Sequence, residues 1–192
     1  MNSIINFTEK YLKSLMNAIN ETNFNNLELS TQAILNTVKA KNSIYVCGNG
    51  GSAAIANHYV ADFLKFFREN TSVKPKIFSF SNNIETITAI SNDLSYDKIF
   101  SYQAESYCKK KDLLIIISSS GNSKNIIKLL KFAKKNKIKT IGFSGFSGGY
   151  LKKNCDISIH INAKNYGMSE DAHHSLMHIQ LQYLVHQLRK KN

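Results

Sequence analysis

Two short stretches and two helical rows hold most of the side chains in this 192-residue chain that could do chemistry. The first stretch, Gly48, Asn49, Gly50, Gly51 and Ser52, follows the apolar run 43 to 47 and opens a helical pattern. Glycines there clear side chains from where a ligand would approach the backbone, and the free N–H groups of a starting helix attract an anion. The glycine spacing matches neither a Walker loop nor the dinucleotide fingerprint. The second stretch is Ser118, Ser119, Ser120, Gly121, Asn122 and Ser123. A helix start needs only one hydroxyl as its cap, so four beside an apolar run read as neutral donors around a phosphate. The helix N-terminus adds its partial positive charge. His58 and Asp62 stand four apart on one helical face, and Glu170, His174 and His178 form an i, i+4, i+8 row; Asp171, His174 and His178 fit that row almost as well. Rows of this kind are ordinary helix pairs unless they converge. Converging, they hold a divalent metal of zinc type or supply a general acid and base.

Five short β-branched runs must position these groups: 43 to 47, 75 to 80, 112 to 118, 139 to 144 and 156 to 161. Apolar on both faces, they suit central strands of a parallel sheet. Helical patterns fall between and after them at 52 to 69, 84 to 107, 122 to 136 and 169 to 190, while residues 1 to 40 read as two further helices parted by the polar stretch 21 to 26. The alternation predicts an α/β, doubly wound five-stranded parallel sheet with two extra N-terminal helices. Ligands in such folds sit at the carboxyl ends of the strands, where both candidate turns lie.

Composition excludes several other classes. One Pro, 9 Gly and 43% hydrophobic residues describe a globular chain with a sizeable core, and no apolar run reaches the ~18 residues of a membrane span. The N-terminus lacks the pattern of an export signal, and three well-separated cysteines, Cys47, Cys108 and Cys155, read as reduced thiols of a cytoplasmic protein. The net charge of +12 comes from 25 basic residues of which only Arg68 and Arg189 are Arg, in a chain unusually rich in Asn. That bias is not selection for phosphate forks, so neither nucleic acid nor a membrane is an expected partner.

The segments CGNGGSAAIANHYVAD, TAISNDLSYDKIFS, DLLIIISSSGNSKNI and EDAHHSLMH, in this order, resemble the phosphoheptose isomerases of the sugar isomerase (SIS) domain superfamily. The resemblance spans nearly the whole chain. It implies one flavodoxin-like SIS domain over residues 1–192, with the helical pair 1–40 used in packing and oligomerisation. The implied activity is an aldose-ketose isomerase converting sedoheptulose 7-phosphate to D-glycero-D-manno-heptose 7-phosphate for surface-polysaccharide heptose, in a cytoplasmic homotetramer with shared active sites. Carried over residue by residue, it implies substrate contacts from Asn49, Gly50, Gly51, Ser52, Asp62, Asn92, Asp93 and Glu170, and phosphate contacts from Ser118, Ser119, Ser120 and Ser123. It also implies one zinc per subunit on His58, Asp62, Glu170 and His178, with Asp62 as base and His178 as acid.

Three positions depart from the family pattern. Asp62 stands for the usual Glu and is a methylene shorter, Glu170 stands for Gln, and Phe66 stands where an Arg helps hold the substrate, with Lys65 and Arg68 nearby. Two other readings therefore stay open: isomerisation of a different sugar phosphate, and a non-catalytic SIS-domain regulator that binds a sugar phosphate and controls a partner. The regulator needs the glycine turn and the serine loop but not His58, Asp62 and His178.

Overall fold

The computed structural model describes residues 3–189. Five parallel strands, β1 (Ser43–Gly48), β2 (Lys76–Ser79), β3 (Leu113–Ser118), β4 (Lys139–Ser144) and β5 (Ile157–His160), form one sheet in the order β2-β1-β3-β4-β5. The direction of winding reverses between β1 and β3, which opens a crevice at the carboxyl ends of these two strands. The glycine turn leaves β1 and the serine loop leaves β3, so the topology sets the two candidate stretches side by side.

Alternation along the strands splits the interior into two cores. Ile44 and Val46 of β1 and Leu113, Ile115 and Ile117 of β3 face α2 (Phe24–Lys39), α3 (Gly51–Asp62) and α9 (Tyr166–Leu188). Tyr45, Cys47, Leu114 and Ile116 face the other way, onto α5 (Ile84–Asp93), α6 (Ser101–Tyr107), α7 (Lys124–Lys135) and α8 (Gly149–Asn154). Helices thus cover both faces, as the doubly wound reading requires.

The N-terminal pair is tied to this body by long-range hydrogen bonds. Tyr11 of α1 (Ile4–Asn20) donates to Asp171 Oδ2 at 2.6 Å, and that carboxylate pushes the Tyr11 phenol up to about 12. Asn26 donates to the Ser158 carbonyl at 2.8 Å, and Gln180 donates to the Ser30 and Thr31 hydroxyls.

Several expected helices differ in detail. The segment 52 to 69 is α3 followed by a π-helical turn, Phe63–Phe67, and the short α4 (Arg68–Asn70). Over five residues an apolar period does not distinguish a turn of 4.4 residues from one of 3.6. The segment 84 to 107 breaks after Asp93: Ser95 is extended and its hydroxyl bonds Asp97, one of the local side-chain contacts that compete with helix. The last helix starts at Tyr166, not at 169, because Asn165 caps it, accepting from the Met168 N–H at 3.0 Å. The helix α8 was not expected from the sequence.

His173, on the face of α9 turned to β4, is fully buried with its ring edge-on to Phe143. Burial pulls its imidazole down to about 4, the backbone of Ser144 partly opposing this and His160 adding to it. The unfolded chain binds this proton near pH 6.5 and the folded chain only near 4. Stability therefore falls as pH drops through that window, by about 3 kcal/mol from this residue. A thermal melt series from pH 7 to 4 should show the loss, and His173→Gln should flatten it; an unchanged slope would remove His173 as its cause.

Candidate active site

The glycine turn is held by polar neighbours that the sequence reading did not single out. Asn49 exchanges two amide hydrogen bonds with buried Asn125, at 3.0 and 2.9 Å, and accepts a third from the Tyr96 hydroxyl at 3.1 Å. Ser81 clamps Gly48 from the other side, its hydroxyl accepting from the Gly48 N–H at 3.1 Å and donating to the Gly48 carbonyl at 2.8 Å. Gly50 has φ +54° and ψ −124°, outside the region open to other residues. Ser52 is buried beneath the turn, against Gly48, instead of lining its surface. Asn92 and Asp93 lie exposed at the end of α5 and bond each other at 2.8 Å; Tyr96, three residues on, is the side chain that reaches the turn.

The serine loop has unspent donors. Ser123 takes the N-cap position of α7, yet its hydroxyl makes no capping hydrogen bond. The Ser119 hydroxyl is buried without a partner, while Ser118 and Ser120 accept from the N–H groups of Gly121 and Asn122 at 3.2 and 3.3 Å. Gly121 has φ +65°, and a Cβ there would lie 2.0 Å from the Gly148 carbonyl oxygen. Backbone cannot yield as a flexible side chain would, so Gly121→Ala should cost several kcal/mol through overpacking and left-handed strain combined, about 2 to 6 kcal/mol by these two terms. Chemical denaturation measures it, and a loss below 1 kcal/mol would mean that the loop re-forms freely.

The two helical rows converge. Asp62 Oδ2 at the end of α3 lies 3.4 Å from His58 Nε2 and 3.2 Å from His178 Nε2 on α9, and the two imidazole nitrogens are 3.1 Å apart. The His174 ring packs 4.6 Å from that of His58 and 4.4 Å from that of His178, and one ligand nitrogen from each of the three falls within 4.8 Å of the others. Burial, then the neighbouring His178 and His58, hold the His174 imidazole below its usual range. Three nitrogen donors plus a carboxylate are a donor set for zinc, and the same Asp and His can move protons when poised over a substrate. Of the two rows read on α9, Asp171 is turned away toward Tyr11. Glu170 points at the glycine turn: a Cβ on Gly51 would lie 2.2 to 2.4 Å from its carboxyl atoms. Burial and the charge of Asp171 raise its carboxyl above the usual range.

Residues 8–145 match the SIS domain family. The chain is 35% identical over 152 residues to the phosphoheptose isomerase of Campylobacter concisus, covering 79% of this chain and 80% of that protein. It is 36% identical over 171 residues to the probable phosphoheptose isomerase of Thermoplasma acidophilum, covering 89% and 93%. The chain belongs to the phosphoheptose isomerase family. The solved phosphoheptose isomerase of Neisseria gonorrhoeae, at 23% identity, superposes with a TM-score of 0.85 over 94% of this chain and 97% of that one, which bears out the five-stranded SIS fold. Among the described residues no helix is long and apolar enough to cross a membrane. Within this phosphoheptose isomerase fold, the side chains missed from sequence were Asn125, Tyr96 and Ser81. Tyr96 and Asn125 lie within the quoted segments but outside the positions that carry a role there, Ser81 lies in none of them, and only nearness to the glycine turn gives each its part.

Proposed function

We propose that this chain is an aldose-ketose isomerase acting on sedoheptulose 7-phosphate and yielding D-glycero-D-manno-heptose 7-phosphate for surface-polysaccharide heptose synthesis. The observation that carries the reading is the meeting of Asp62 with His58 and His178 at 3.2 to 3.4 Å, from helices far apart in sequence. A regulator that only binds a sugar phosphate has no need of that cluster.

Isomerisation moves a proton between the two carbons at the carbonyl, so it needs a base, an acid and stabilisation of the developing oxyanion. Asp62 takes the proton from the carbon beside the carbonyl and returns it to the neighbouring carbon. His178 protonates the carbonyl oxygen and accepts the hydroxyl proton in exchange. The hydroxyls of Ser119 and Ser123, with Ser118, Ser120 and the start of α7, hold the phosphate; Asn49, Gly50 and Gly51 approach the sugar, with Ser52 supporting the turn from below. Asn92, Asp93 and Glu170 complete the sugar contacts. One zinc per subunit fits the donor set of His58, Asp62 and His178, and when bound it supplies a Lewis acid that polarises the substrate carbonyl. The resemblance puts Glu170 at the fourth position. The buried, unpartnered His174 Nε2 supports the fit of a metal to this cluster.

A homotetramer is supported by apolar side chains left exposed on α1, among them Ile4, Ile5, Phe7, Leu12 and Met16, and by a 590 Å³ groove between α2 and α9 lined by Phe24, Leu27, Leu35, Ile179 and Tyr183. Three free thiols support a cytoplasmic setting.

Phe66, half-exposed in the π-helical turn where the family has Arg, favours a second reading in which the sugar phosphate is a different one. Incubating the purified chain with zinc and either sedoheptulose 7-phosphate or shorter ketose phosphates, and resolving the aldose formed, tests both. Turnover of the seven-carbon substrate is the expected result. Turnover confined to a shorter sugar selects the second reading, and inertness toward all of them leaves the regulator.

A further inference from the structure

The family resemblance gives the metal a ligand at position 170, Glu here for the usual Gln, but this structure offers an imidazole instead. His174 lies one turn before His178 on α9, and its ring stands against both His58 and His178, at 4.6 and 4.4 Å between centroids. Ligand nitrogens within 4.8 Å of one another, the closest pair at 3.1 Å, bracket the separation of about 3.3 Å that tetrahedral zinc with bonds of about 2.05 Å imposes. His174 Nε2 is buried and has no hydrogen-bond partner, which costs free energy unless something fills it.

Glu170 is placed for another task. Its carboxylate is packed over Gly51, and Gly51 precedes His58 by seven residues, roughly 10 Å along the helix axis. It therefore sits level with the glycine turn, while His174 and His178 sit level with His58 and Asp62.

We propose that the metal centre of this chain is a three-histidine site, His58, His174 and His178, closed by Asp62, and that Glu170 is a sugar-hydroxyl contact at the glycine turn and not a ligand. The inference rests on the zinc part of the proposed function but not on the sugar. With His58 and His174 as the firm ligands, Asp62 and His178 can each leave the ion to move the proton that the proposed reaction asks of them.

Zinc titration against a chromophoric chelator and the visible spectrum of the cobalt-substituted protein separate the ligand sets without an activity assay. The probes are the parent, His174→Leu and Glu170→Ala, each first shown by circular dichroism to be folded. His174→Leu should weaken zinc by more than the about 10- to 100-fold that loss of an outer partner costs, and should change the cobalt bands. Glu170→Ala, which removes every donor atom at 170, should leave affinity within about threefold and the bands in place. The reverse pattern, or a parent that binds no ion, overturns the proposal. Its fate is separable from that of the isomerase reading: zinc held through His174 by a chain inert toward sugar phosphates keeps this inference and loses the other. Turnover with a metal site indifferent to His174 does the opposite.

Discussion

Asp62→Asn should lower turnover of sedoheptulose 7-phosphate by about 100- to 10,000-fold, the usual cost of losing a general base. The amide keeps the size of the side chain and can still hydrogen-bond His58 and His178, now at 3.4 and 3.2 Å from Oδ2. Substrate binding and folding should therefore change little, and the defect should appear in kcat. Asp62→Glu is the sharper companion because it restores the family's residue. If the shorter acid is a compromise, turnover is retained or raised. If α3 and the π-helical turn behind it have adapted to Asp, the longer side chain crowds the histidines and turnover falls. Steady-state kinetics on the three proteins, with zinc content measured for each, decides the matter. Full turnover by Asp62→Asn with metal intact would remove Asp62 as the base.

The second large effect concerns the serine loop. Ser123 stands at the start of α7 with its hydroxyl uncommitted to capping, and the Ser120 hydroxyl orders the Asn122 N–H. Removing both in Ser120→Ala with Ser123→Ala deletes two hydrogen bonds to a charged acceptor, each worth about 1.5 to 3 kcal/mol. A loss of about 3 kcal/mol or more corresponds to at least roughly 100-fold in KM, on the conversion of 1.4 kcal/mol per decade. Ser123 makes no cap hydrogen bond in the folded chain and Ser120 accepts only the exposed Asn122 N–H, so stability should fall by no more than about 1 kcal/mol. A KM unchanged in the double variant would place the phosphate elsewhere; a large drop in melting temperature would make the hydroxyls structural.

Much of this molecule is local in origin and was open to reading from the chain. The β-branched runs gave five parallel strands, of which only β1, β3 and β4 are buried on both faces while the edge strands β2 and β5 alternate; the run 139 to 144 matches β4 at both ends, because burial on two sides leaves no polar alternation to blur the boundary. The glycine turn and serine loop were legible because their chemistry is written in consecutive residues at strand ends. Helix breaks were not. The stop after Asp93 and the wide turn at Phe63–Phe67 depend on side-chain bonds and packing that an apolar period averages away.

The sequence by itself determined the strand-helix alternation, the two loops, and which residues of α3 and α9 share a helical face. Only the tertiary structure decided which of those faces meet. Residues 58 and 178 are brought within 3.1 Å by the packing of α3 beside α9 on one side of the sheet, a matter of long-range contacts between cores. The same packing turned Asp171 to Tyr11, set Glu170 over Gly51, and left His174 facing the two other histidines. Spacing along a helix gives the direction of a side chain to within a turn, whereas ligation and proton transfer depend on separations of a few tenths of an ångström, which only the assembled helices fix.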